Sequence, residues 1–269
     1  MNLFSIAFIS GVILVTTSGD SIRVEPGKQL PQSLTIRTSA KVDGGDKTLR
    51  YLLFTPRGYR AEGTKWPLML FLHGLGECGR DDLPRVKIHG PANIVDSRPD
   101  FPFIVLTPQL EPPAGYDPNA KYTSEQIVAM VRKAWKPEEL IQLIDNATSQ
   151  LNIDRDRVYV TGLSMGGFGA WRLIATYPDR FAAAVPICAG GEPEKMAKAA
   201  SRVPIWAFHG AKDPIVPLEL GQKMVDAVKQ AGGDVRFTVY PEATHNSWKE
   251  TYDNPAVYDW LLSHKLKSR

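Results

Sequence analysis

Hydrophobic and polar positions along this chain follow two periods. Residues 33–38 and 49–54 read as short β-strands, and Asp43-Gly44-Gly45-Asp46 between them is a turn signal that predicts a hairpin. Leu68-Met69-Leu70-Phe71-Leu72 and Phe103-Ile104-Val105-Leu106 are unbroken apolar runs, the pattern of strands covered on both faces. A proline-rich loop is expected over 108–121, then a helical candidate over 124–135. Pro137 opens a clearer helix, with Leu140, Ile141, Leu143, Ile144 and Leu151 on one face. Strand and helix then alternate: strands over 158–161, 183–187, 205–208 and 235–240, helices over 167–177, 218–230 and 256–265. This order predicts an α/β fold with a mostly parallel central sheet, an N-terminal antiparallel hairpin and helices on both faces.

Residues 3–15 are apolar apart from Ser5, Ser10 and Gly11, and Thr16-Thr17-Ser18-Gly19 follows. That run is too short to span a bilayer and has the length of a signal-peptide core. The expectation is a signal peptide over 1–19, a secreted or periplasmic protein, and a single catalytic domain over 20–269 with no membrane attachment once the leader is removed. Of 269 residues, 43% are hydrophobic and 23% charged, which excludes a disordered or coiled-coil chain. A net charge of +3 without a basic run argues against a nucleic-acid partner. Cys78 and Cys188 cannot form a disulfide framework; two free thiols are expected, with a single Cys78–Cys188 bridge the alternative in an exported protein. The five histidines show no metal-ligand spacing, so no metal or other cofactor is expected.

Gly162-Leu163-Ser164-Met165-Gly166 fits G-x-S-x-G and lies between a predicted strand and a predicted helix. A turn this tight strains the serine backbone, excludes bulky neighbours and projects the hydroxyl beside the positive end of the helix. A serine needs a base, and the base an orienting acid. Downstream of Ser164 stand His209, His245 and His264. His264 falls in a charged terminal helix, and His209 closes a strand upstream of the best acid, so His245, in the loop after the last strand, is the base expected. Asp213, just past the strand over 205–208, is the acid expected ahead of Glu219, Asp226, Asp234 and Glu242. For the oxyanion, the N–H of Met165 is one expected donor. The second comes from His73-Gly74-Leu75-Gly76-Glu77, with Leu75 preferred and Gly74 or Gly76 open. Glu77 is expected either to orient that loop or to meet substrate. Trp135 and Trp248, with Tyr116 and Phe168, are candidate aromatics at the substrate rim.

Together Leu72-His73-Gly74-Leu75-Gly76-Glu77, the stretch from Thr161 through Ser164 to Trp171, His209-Gly210-Ala211-Lys212-Asp213 and Thr244-His245-Asn246-Ser247-Trp248 resemble the α/β-hydrolase serine esterases. Within them the chain is most similar to the exported phospholipase/carboxylesterase-like enzymes, which grade into feruloyl and acetyl xylan esterases, polyhydroxybutyrate depolymerases and prolyl-oligopeptidase catalytic domains. The resemblance implies Ser164 as nucleophile, Asp213 as acid, His245 as base, Leu75 and Met165 as oxyanion donors, and a small-molecule or polysaccharide-linked ester as substrate. A serine peptidase and a non-catalytic binding module are the alternatives. The segment over 109–135 is longer and richer in proline than the compact members lead one to expect.

Overall fold

The computed structural model describes residues 6–9, 12–15, 21–37, 46–200 and 202–266. Strands β1 (Ile6–Ile9), β2 (Val12–Val15) and β3 (Arg23–Val24) form a small antiparallel sheet. Most of the expected leader, and three of the four residues of the predicted 43–46 turn, lie outside the described residues.

The main sheet has eight strands: β4 (Gln29–Ile36), β5 (Lys47–Phe54), β6 (Trp66–Leu72), β7 (Ile104–Pro108), β8 (Ile153–Leu163), β9 (Ala183–Ile187), β10 (Ile205–Gly210) and β11 (Val235–Tyr240). Their spatial order is β11-β10-β9-β8-β6-β7-β5-β4. β4 pairs antiparallel with β5, the expected hairpin, and β5 antiparallel with β7. Every other neighbour pair is parallel. A parallel strand needs a crossover, and the crossovers supply the helices.

Side chains of a strand point alternately to opposite faces, so an unbroken apolar run feeds two cores. Leu68, Leu70 and Leu72 of β6 enter one core with Val158 and Val160 of β8, beneath helices α3 (Pro137–Gln150), α4 (Met165–Thr176), α5 (Pro193–Ala199) and α6 (Leu218–Gln230). Met69 and Phe71 enter the other with Tyr159, beneath α1 (Gly90–Ser97), α7 (Trp248–Asp253) and α8 (Pro255–Leu262). The remaining helix, α2 (Ser124–Val131), begins on a capping box in which the Thr123 hydroxyl accepts the Gln126 N–H. It stops four residues short of the expected end, and Ser124 Oγ ties it to the Ile215 carbonyl at 2.7 Å. The short helices α1, α5 and α7 were not expected from the pattern. Among the described residues, no helix is long and apolar enough to cross a membrane.

Candidate active site

Parallel strands bring their carboxyl ends to one edge of the sheet, where substituents from loops far apart in sequence can meet. Ser164 follows β8, Asp213 follows β10, His245 follows β11 and the loop from His73 to Glu77 follows β6.

At the β8–α4 junction Ser164 takes φ 51° and ψ −116°, the left-handed side of the map that a residue with a Cβ adopts at a cost. Neighbouring glycines make this turn possible. A Cβ on Gly166 would come within 1.8 Å of the Leu72 carbonyl oxygen, and one on Gly162 within 2.4 Å of the Gly166 carbonyl oxygen. The Ser164 N–H donates to the Ile187 carbonyl at 3.0 Å and to Cys188 Sγ at 3.2 Å, which pins the turn to the end of β9. Cys188 is itself left-handed, at φ 44°.

Ser164 Oγ lies 2.9 Å from His245 Nε2, and His245 Nδ1 lies 2.8 Å from Asp213 Oδ2. Asp213 Oδ1 accepts the N–H groups of Ile215 and Val216, both at 2.9 Å. Burial of Asp213 opposes its charge, yet hydrogen bonds from His209, His245 and the Val216 N–H outweigh it and hold the carboxyl well below its usual range. A carboxylate so held fixes the imidazole with Nδ1 protonated and Nε2 free to accept the serine proton. His245 is also packed edge-on against Trp248, with ring centroids 5.3 Å apart.

Next to the serine, neither the Leu75 nor the Met165 N–H donates to an acceptor among the described residues; each opens a helical turn, where such groups have no partner within the helix. The loop presenting Leu75 is held from several sides. Glu77 Oε2 accepts the Gly74 N–H at 2.7 Å, Arg85 Nε donates to the Gly76 carbonyl at 2.8 Å, and Gln109 Nε2 donates to the Glu77 carbonyl at 3.1 Å. His73 is neutral and structural: burial drives its pKa down to about 4, the Leu110 N–H donates to its Nε2, and its Nδ1–H donates to the Gly74 carbonyl.

The structure thus brings Ser164, His245, Asp213, Leu75 and Met165 to one place. Of the three residues expected to touch substrate, Trp135 is placed differently and Glu77 takes the other role open to it, holding the loop. Trp135 is only 2% exposed and packs against the His73 ring and Gly169, so it is core and not rim. Glu77 is buried with its carboxylate turned to the Gly74 amide, and burial raises its pKa, opposed first by His89, 3.7 Å away. Only Trp248 stands half-exposed beside His245, its ring also against His89. Of the other two aromatics, Phe168 is buried and Tyr116 stacks on Tyr122.

Sequence reasoning missed two neighbours. His209 lies beside Asp213, its Nε2 at 3.4 Å from Oδ2 while donating to the Val216 carbonyl at 2.9 Å; its position four residues before the acid on the same strand end was the available signal. Cys188 is fully buried under Ser164, and burial, reinforced by Asp213, keeps its thiol protonated; nothing in the sequence marked it. Donor atoms of Cys188, Asp213 and His245 lie within 4.8 Å of one another, but hydrogen bonds to Ser164 and between the imidazole and carboxylate already engage them. A metal ion could be held there only by breaking the serine–imidazole–carboxylate chain.

A poly(3-hydroxyalkanoate) depolymerase of Paucimonas lemoignei is 38% identical over 88 residues, a third of this chain and 21% of that protein. An acyl-protein thioesterase of Cryptococcus neoformans is 25% identical over 224 residues, 72% of this chain and 90% of the other. Among solved structures, a thermostable esterase superposes with TM-score 0.62 at 31% identity, over 87% of this chain and 63% of that one. The chain therefore spans about a fifth of the depolymerase and less than two thirds of the thermostable esterase. The family model of phospholipases and carboxylesterases matches residues 60–254, most of the chain and all of the groups gathered around Ser164, and the chain belongs to that family.

Proposed function

We propose that this protein is a serine ester hydrolase working through an acyl-enzyme. The observation that carries the reading is the unbroken chain from Ser164 Oγ through His245 to Asp213, with contacts of 2.9 and 2.8 Å. Ser164 Oγ attacks the ester carbonyl carbon while His245 Nε2 takes the hydroxyl proton. The tetrahedral oxyanion accepts hydrogen bonds from the Leu75 and Met165 N–H groups, each donor of this kind typically lowering the barrier by about 2.7–4 kcal/mol. Collapse breaks the bond to the alcohol oxygen, which receives the proton from His245 and leaves. Water, deprotonated by the same imidazole, then attacks the acyl-serine and releases the acid.

Within that chemistry, the reading favoured for substrate is a feruloyl, acetyl or other short acyl ester carried on plant polysaccharide, acted on outside the cytoplasm after removal of residues 1–19. Support comes from an acetylxylan esterase/xylanase of Neocallimastix patriciarum, 36% identical over 75 residues. The thioesterase similarity, which runs along far more of the chain, favours a second reading: hydrolysis of an S-acyl group.

A fluorophosphonate is expected to label wild-type protein at Ser164 and not the Ser164→Ala variant, whose turnover should fall by about 10⁶ on the precedent of other serine hydrolases. An unlabelled wild type would sink the proposal. A panel of p-nitrophenyl acyl esters, methyl ferulate, acetylated xylan and an S-acyl peptide separates the two substrate readings by kcat/KM.

A further inference from the structure

Helix α4 begins at the nucleophile and presents Phe168, Trp171, Arg172, Ala175 and Thr176 to a cavity of about 480 Å³. That spacing is one helical face, and the volume is that of a small-ligand pocket. Val128, Phe168 and Leu220 are among its apolar lining, and Phe168 lies one turn of α4 from the nucleophile, its N–H donating to the Ser164 carbonyl at 3.0 Å. Arg132, Lys133, Arg172 and Lys195 line the rest, with Glu138 and Glu192 among them. Four cations against two carboxylates leave an excess of two in this single cavity, while the whole chain carries only +3.

The charges are only partly spent on one another. Lys195 pairs with Glu192 at 2.7 Å, and that hydrogen bond, helped by Arg172 and Lys133, keeps the Glu192 carboxyl below its usual range. Arg172 Nη1 donates to the Lys133 carbonyl, while Arg132 forms no ion pair among the described residues. A rise of 1.5 Å per residue puts Arg172 about 12 Å along α4 from Ser164. This is beyond an acyl group of short length and within reach of a neighbouring unit on a carrier chain.

We propose that the cavity is a distal subsite for a carboxylate-bearing carbohydrate, a hexuronate unit on the chain that carries the scissile ester. The cations recognise the carboxylate, bidentately where arginine serves. Val128, Ala175 and Leu220, the half-buried apolar residues of the lining, face the sugar ring, and the two glutamates accept hydrogen bonds from its hydroxyls. Those same glutamates would repel a polyphosphate or nucleic acid, which selects the sparsely charged anion over the dense one. The inference deepens the esterase reading and rests on it for the ester, although binding itself needs no turnover.

The test is calorimetric titration of wild-type protein whose serine has first been capped with a small fluorophosphonate. A glucuronate-bearing xylo-oligosaccharide is expected to bind about tenfold more tightly than the neutral oligosaccharide of equal length, with the preference shrinking as salt is raised from about 50 to 500 mM. The double variant Arg132→Gln/Lys133→Gln is expected to lose the preference. Lys195→Gln, on helix α5, is expected to weaken it and serves should the double variant not fold. Equal binding of the two oligosaccharides, binding of neither, or a preference untouched in the variants overturns the proposal. Failure of the fluorophosphonate to react would count against the esterase reading instead, and the same titration on uncapped protein would still read the subsite.

Discussion

The Leu110 N–H points at His73 Nε2, so the imidazole's single proton sits on Nδ1 and donates to Gly74. A second proton would cost that contact, and burial alone drives the folded-state pKa to about 4, from 6.5 when unfolded. Between those values the unfolded chain binds a proton that the folded one refuses. Stability is therefore complete above pH 6.5 and is lost as pH falls toward 4, by up to about 1.4 kcal/mol per pH unit. Denaturant melts at intervals from pH 7 to 4.5 check this: wild type should lose stability more steeply than His73→Gln. Glu77 yields a second residue-level prediction. Glu77→Ala removes the acceptor for Gly74 and lets Leu75 drift, which should lower kcat about tenfold with little change in KM, while Glu77→Gln keeps an acceptor and should stay within about threefold. Ser164, Asp213 and His245 were legible in the sequence because their residue types, their order and their places after predicted strands all agree. Trp135 was misplaced because a side chain's direction depends on packing partners distant in sequence, here His73; of the two roles open to Glu77, the carboxylate takes the local one, holding its own loop at Gly74.

At the scale of elements, the turn between β8 and α4 is the least forgiving place in the fold. Gly166→Ala would drive a methyl to 1.8 Å from a backbone oxygen of β6, where no side-chain rotation can relieve it. A loss of at least about 3 kcal/mol, or failure to fold, is expected from such overpacking. Gly76→Ala, with nothing within 4 Å of its added methyl and no left-handed φ, should leave the melting temperature within a degree or two; paired thermal melts compare them. The long runs over 183–187, 218–230 and 235–240 matched their elements because patterning and punctuation coincide there. Helices α1, α5 and α7, six to eight residues long, carry too few large apolar residues to stand out, whereas α2 and α8, of eight residues each, carry enough.

Across the whole molecule, both thiols are buried and unbridged, and burial pushes Cys78 up to about 12. Native protein should show no fast-reacting thiol toward a disulfide reagent and two after unfolding, and a reductant should leave the melting temperature unchanged. The sheet order also explains how loops so distant in sequence cooperate: β8 lies between β6 and β9, so the serine emerges beside the loop carrying Leu75 on one flank and Cys188 on the other. That second flank has a further consequence. Because the serine's own amide is already tethered to β9, it is no donor to an attacked carbonyl, whose oxygen is left to the Leu75 and Met165 N–H groups. Only one of the two faces of the trigonal carbon is then offered to the hydroxyl, and with that face fixed the groups on a neighbouring stereocentre meet different walls in the two enantiomers, so hydrolysis of a racemic ester should run ahead for one of them, as chiral chromatography of the unreacted ester would reveal.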